Sequence, residues 1–179
     1  MDDPYNFFPH FEPSSTKNFS PSLPSRFWLV TGNGESNVSP LNAFDAALVN
    51  AGIGHLNLIQ YSSILPANAS ISSPPVNIAP GSRTGTILAI AEGEKGEYIS
   101  AGMAFGEVVS PSPHYVVFEA HGKEPDSSLK KRLELMIQEA ISLRQSPLPP
   151  FLRVVNGLQI EKRYGCSIVA VVFDPTVYS

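Results

Sequence analysis

The residues with the most chemical potential in this chain lie where a short strand gives out. Asn57-Leu58-Ile59-Gln60-Tyr61 runs directly into Ser62-Ser63 and then into Ile64-Leu65-Pro66. Leu56, Leu58 and Gln60 fall on one side of this run and Asn57, Ile59 and Tyr61 on the other, the period-two pattern of a half-buried strand, so the two hydroxyls are expected at its rim. A serine hydroxyl is a weak nucleophile until a neighbouring group takes its proton and donors stabilise the oxyanion that it makes. Taken bare, such a pair three residues before a proline reads as a turn whose hydroxyls bond local backbone.

Other reactive side chains give less. His10, His55, His114 and His121 show no metal-ligand spacing, and His121 alone is near another candidate residue. The single cysteine, Cys166, is flanked by Ile168, Val169 and Ala170, which reads as a buried strand thiol and excludes an intramolecular disulfide. Gly32-Asn33-Gly34 lacks the third glycine and the helix start of a dinucleotide fingerprint, and no G-x-S-x-G elbow occurs. Two carboxylates stand out by position. Glu119 shares a strand face with Tyr115, Val117 and His121, where a salt-bridged strand residue is the plain reading. Asp45 lies on the flank of a helical apolar stripe, where a solvated carboxylate is the plain reading.

The elements that must hold these residues follow from periodicity. Arg26 to Thr31 reads as a first strand and Gly32 to Ser36 as the loop after it. Ser39-Pro40 opens a helix with a capping hydroxyl and a proline at the first helical position, and Gly52 closes it. Leu41, Phe44, Leu48 and Ala51 form its expected core stripe. Pro66 to Ser82 is rich in proline and serine, a surface loop. Strands are expected over 84–91 and 98–106, joined by a hairpin loop at Glu92-Gly93-Glu94-Lys95-Gly96-Glu97, and again over 115–121. Asp126 or Ser127 is expected to cap a second helix with Leu129, Leu133, Met136, Ile137, Ala140 and Leu143 on its apolar face, stopped by Pro147, Pro149 and Pro150. Strands at 152–162 and 166–173, turning at Arg163-Tyr164-Gly165, are expected to end the chain as an antiparallel pair.

At 179 residues this is one domain, 26–179, behind a proline- and phenylalanine-rich arm, 1–25, read as extended or disordered, or as lying on a neighbouring subunit. A net charge of −4 without a run of like charges argues against nucleic acid or an anionic membrane as the main partner, and 42% apolar residues is ordinary for a globular chain. No segment has the apolar length to cross a bilayer, and Asp2 and Asp3 stand where a secretory signal would be basic. A cytoplasmic enzyme of small molecules fits this balance.

The run Pro40 to Gly54, followed by Asn57-Leu58-Ile59 and Ser62-Ser63-Ile64-Leu65-Pro66, resembles the pyruvoyl-dependent arginine decarboxylases, and the likeness extends in order and pattern over Phe27 to Phe173. It implies an α+β fold, a four-layer αββα sandwich with mostly antiparallel sheets, assembled as a homotrimer or a multiple of it with sites between subunits. It implies a chain that cuts itself between Ser62 and Ser63 into a β chain, 1–62, and an α chain, 63–179, by attack of Ser63 Oγ on the Ser62 carbonyl and β-elimination. Position 63 then becomes a covalent pyruvoyl cofactor, the electron sink that decarboxylation through a Schiff base needs and that no standard side chain supplies. No phosphate-cradling glycine loop suggests pyridoxal instead. The likeness gives Asn57 to self-processing and the active site, with an amide able to donate to the oxyanion, and Glu119 to proton donation at the substrate's Cα. Ser62 joins the substrate site, and Asp45 takes the guanidinium of arginine in a two-pronged bond that lysine cannot copy. Agmatine and carbon dioxide would be the products, serving polyamine supply or acid resistance. The alternatives are the same chemistry on histidine or lysine, and an unprocessed scaffold of the same fold.

Overall fold

The first strand continues through the glycines expected to leave it. In the computed structural model, which describes residues 25–75 and 78–175, β1 spans Arg26–Ser36 and contains Gly32-Asn33-Gly34. These glycines serve close packing rather than a loop. A Cβ on Gly32 would fall against the Ala47 carbonyl oxygen, and one on Gly34 against the Ala43 carbonyl oxygen, because helix α1 (Pro40–Asn50) lies directly on them. The arm expected over 1–25 lies outside the described residues, apart from Ser25.

The start of α1 is as anticipated. Ser39 Oγ accepts the Asn42 N–H at 3.1 Å, Pro40 opens the first turn, and Gly52 follows the last one at a φ of 76°. Its buried line is different. Ala43 and Ala47 are fully buried, with Phe44, Leu48 and Ala51 packed beside them, whereas Leu41 is 72% exposed. Alanines face the sheet because the glycines beneath admit the helix too closely for larger side chains.

The remaining strands are β2 (Asn57–Gln60), β3 (Ile64–Pro66), β4 (Ser70–Ile71), β5 (Arg83–Glu94), β6 (Tyr98–Val108), β7 (His114–Gly122), β8 (Leu152–Gln159) and β9 (Tyr164–Phe173). They form a five-stranded sheet in the order β2-β5-β9-β1-β4 and a four-stranded sheet in the order β3-β7-β6-β8. All ladders are antiparallel except β1 with β4 and β2 with β5. The fold is α+β with mostly antiparallel sheets.

Two expected hairpins are not hairpins. β5 pairs with β9 and β6 with β8, so residues 95–97 and 160–163 each carry the chain from one sheet to the other. The two connections run together, with Lys95 N–H donating to Arg163 O at 3.2 Å and Gly96 N–H to Ile160 O at 2.9 Å. Turn residues report that the chain reverses; they carry nothing about which ladder the next strand joins. The loop over 66–82 likewise contains β4, held parallel to β1.

Helix α2 (Asp126–Leu143) begins after Pro125, with no side-chain cap. Asp126 instead accepts the Tyr98 hydroxyl at 2.9 Å, and its charge suits the first helical turn. Leu129, Leu133, Ile137, Ala140 and Ile141 are buried, while Leu143 is 75% exposed because Ile141 takes the inward position of the last turn.

The buried residues form three groups. One joins the two sheets, with Ile87, Val169 and Phe173 from the larger and Met103, Phe105 and Val117 from the smaller. A second joins α1 to the five-stranded sheet through Ala43, Ala47, Trp28, Ile168 and Val172. The third joins α2 to the four-stranded sheet through Leu129, Leu133, Ile137, Ala104 and Val116.

Candidate active site

Ser62 and Ser63 sit where the chain crosses between the sheets. Before them, the Tyr61 N–H donates to Thr86 O of β5 at 2.8 Å, and the Tyr61 ring lies 5.5 Å from that of Phe173, over Gly85, which leaves room for it. After them, Ser63 O accepts the Val117 N–H of β7 at 2.8 Å, and Ile64 pairs with Val116. Each flank of the Ser62–Ser63 bond is therefore anchored to a different sheet. The bond itself belongs to neither ladder, with Ser62 exposed and Ser63 half-buried.

Alternation along β7 puts Tyr115 and Val117 in the core between the sheets and continues that face to Glu119, opposite Met103 of β6. Glu119 is half-buried where this core reaches the crossing. Ser63 Oγ lies 2.9 Å from its Oε1 and 2.8 Å from its Oε2 and donates to the carboxylate. A hydroxyl held on both oxygens of a carboxyl group and lying next to a peptide carbonyl is an arrangement for nucleophilic attack.

Asn57 and Asp45 are placed differently. Asn57 is exposed at the start of β2, and its amide Nδ2 donates to Gly81 O at 2.8 Å rather than to the Ser62 carbonyl. It fixes the 79–82 turn against the strand that leads to the serines. Asp45 is exposed on α1, which packs on β1 and β9, and its carboxylate has no hydrogen-bond or ion-pair partner among the described residues. The structure joins Ser62, Ser63 and Glu119 and leaves Asp45 apart from them.

One feature escaped sequence reasoning. β2 covers β5 only over Arg83 to Thr86, and β3 covers β7 only over His114 to Val116, so the later halves of both strands have an open edge among the described residues. A groove of about 410 Å3 opens there, lined by Phe44, Ile90, Glu92 and His121. Strand length was the available signal, since β5 and β7 far outrun their short neighbours.

Burial excludes two other groups from ionic roles. It pushes the Cys166 thiol up to about 12, with the Glu92 charge adding to it, and the Tyr115 phenol up to about 12, with Glu107 adding. Cys166 is a core thiol with no thiolate character near neutral pH.

The chain matches the family model for pyruvoyl-dependent arginine decarboxylase over residues 26–177. A protein of that description from Methanococcus maripaludis (strain C5) is 46% identical over 148 residues, 82% of this chain and 88% of its own. Those from Methanocaldococcus jannaschii and Methanopyrus kandleri are 34% and 32% identical, covering 83% and 84% of this chain and 88% and 97% of their own. With a match that spans both sheets, both helices and the serine crossing, the chain belongs to the pyruvoyl-dependent arginine decarboxylase family.

Proposed function

We propose that this chain cuts itself between Ser62 and Ser63 and then decarboxylates L-arginine to agmatine and carbon dioxide. The observation that carries the reading is the Ser63 hydroxyl held on both oxygens of Glu119, beside a peptide bond that no ladder needs. In the cut, Ser63 Oγ gives its proton to Glu119 and bonds to the Ser62 carbonyl carbon, and the C–N bond breaks as the nitrogen of residue 63 takes a proton. Loss of the Cα proton and of the Cβ–O bond then releases Ser62 as a free carboxylate. Water replaces the nitrogen at the resulting enamine, ammonia departs, and a ketone remains at the head of residues 63–179.

The surroundings of position 63 suit a fixed pyruvoyl group. Its carbonyl is held by the Val117 N–H and its neighbour Ile64 by β7, so loss of the Ser62 bond leaves the site anchored. When present, the group supplies the electron-withdrawing carbonyl that lets a carboxylate leave as carbon dioxide. Glu119, relieved of Ser63 Oγ, is left to deliver a proton to the substrate's Cα. Asn57 positions the strand through Gly81, and Ser62 closes the substrate site.

Asp45 takes the guanidinium, a fork that matches a carboxylate. Its exposure, between Leu41 at 72% and Val49 at 63% exposed on the same helix, supports a site completed by a neighbouring subunit, in a homotrimer or a multiple of it. The open edges of β5 and β7 support the same assembly. The αββα layering is the reading that the three buried groups support, with one domain over 26–179 behind the 1–25 arm. A cytoplasmic location is supported by the unpaired Cys166; among the described residues no helix is long and apolar enough to cross a membrane.

Intact mass under denaturing, reducing conditions, followed by carbon dioxide release from arginine, lysine and histidine, tests the whole. Two chains split after Ser62 and turnover of arginine are expected. A single persistent chain refutes the cut, and turnover confined to lysine or histidine refutes the role of Asp45.

A further inference from the structure

The carbonyl that the proposed cut attacks already has a donor. The Ile64 N–H donates to Ser62 O at 2.9 Å, a bond from residue i to i+2 that closes a γ-turn about Ser63. Ser63 is not among the residues of positive φ, so the turn is the inverse, unstrained form common where strands begin.

The ladder explains why this N–H is free for the purpose. In an antiparallel pair, hydrogen-bonded and non-hydrogen-bonded positions alternate. Ser63 O accepts the Val117 N–H at 2.8 Å, which makes that the bonded position, and Ile64 faces Val116 at the next, non-bonded one. The Ile64 N–H therefore points away from β7. As β3 is the edge of the four-stranded sheet, no further strand among the described residues claims it. The turn directs it to the one carbonyl beside the Ser63 hydroxyl, whereas the Asn57 amide is occupied by Gly81 O.

We infer that the Ile64 N–H is the oxyanion donor of self-cleavage, presented by the inverse γ-turn at Ser63. This deepens the reading of self-cleavage given above and rests on it. As Ser63 Oγ adds, the carbonyl oxygen gains a full negative charge and its bond to this N–H strengthens, an interaction worth more in the transition state than before it. Nucleophile and oxygen are each held, the one by Glu119 and the other by Ile64. When the C–N bond breaks, Ser62 stays on Ser63 Oγ as an ester, and the later loss of the Cβ–O bond releases it and frees the N–H.

The test exchanges single backbone amides for esters in the full chain, by incorporating the α-hydroxy acid analogue of isoleucine at 64 or of valine at 117, and follows chains 1–62 and 63–179 by intact mass. Because the Ile64 N–H belongs to no ladder, the ester at 64 should keep the far-UV circular dichroism of the parent and mature about 10²-fold more slowly, the size expected for one lost oxyanion donor. Ile64→Pro removes the same N–H at an edge strand, where proline is tolerated, and should mature as slowly. Maturation of either variant within about threefold of the parent, far below the effect of a lost donor, overturns the inference. Equal slowing by the ester at 117 assigns the effect to chain positioning and also overturns it. A parent that itself never cleaves removes the self-cleavage reading, a failure distinct from a parent that cleaves and an ester that cleaves as fast.

Discussion

Gly34→Ala asks β1 to carry a methyl group where α1 leaves no room. A Cβ there would fall against the Ala43 carbonyl oxygen and the Ala47 nitrogen, and 2.8 Å from the Ala46 carbonyl carbon. These are backbone atoms of a helix and cannot rotate aside, so the whole element must lift and loosen the group built on Ala43, Ala47 and Ile168. Where a conformation allows it, Gly→Ala gains about 0.4–1 kcal/mol through the unfolded chain. Overpacking costs about 1–3 kcal/mol, occasionally more, and is expected to win here. For a domain of this size each kcal/mol moves Tm by about 2–4 °C, so a fall of up to about 10 °C is expected in a thermal melt at fixed protein concentration. Adding Ala43→Gly should restore nothing, since the clash is with main chain. Under the proposed function the variant should also raise KM for arginine more than it lowers kcat, because α1 carries Asp45. A melting temperature at or above that of the parent, or its recovery by Ala43→Gly, would refute the reasoning.

Three further outcomes follow from the site and the core. Glu119→Gln keeps an acceptor for Ser63 Oγ but cannot take its proton, and maturation followed by mass should slow about 10²- to 10⁴-fold; an unchanged rate removes Glu119 as the base. Asp45→Asn should leave self-cleavage intact, since Asp45 touches neither serine, and raise KM for arginine about 10- to 100-fold, the value of a hydrogen bond to a charged group; an unchanged KM shows that another carboxylate binds the guanidinium. Cys166 and Tyr115 hold their protons to about 12 when folded, above the values of the unfolded chain, so the native state binds more protons than the unfolded state from about pH 9 upward. Stability should be level below that and fall as pH rises toward 12, by at most about 1.4 kcal/mol per pH unit for each group. Urea midpoints between pH 8 and 11 check this, and Cys166→Ala should flatten the earlier part.

Local chemistry was the legible part of the chain. Ser39-Pro40 and Gly52 bound α1 because a capping hydroxyl, a missing N–H and a positive φ are each properties of one residue. Alternation likewise placed Glu119 on the face of Tyr115 and Val117, the face that meets Ser63. Properties shared between distant segments were not legible. Gly32 and Gly34 look like a loop until Ala43 and Ala47 are seen above them. Gly165 marks a reversal whether β9 returns to β8 or crosses to β5 and β1. The Asn57 amide could not be assigned to Gly81, 24 residues away, without the turn that brings them together.

The proposed cut at Ser62–Ser63 would also change what holds the sheets. Residues up to 62 supply β1, α1 and β2, and β1 is threaded between β9 and β4, which lie beyond the cut. Before cleavage these strands meet at the effective concentration of a tether, of millimolar order. After the proposed cut the same ladders would be an interface between two molecules, folding would become second order, and apparent stability would depend on dilution. The matured protein would then persist by the height of its unfolding barrier, and a population that is melted and diluted would reassemble far less readily than its uncut precursor.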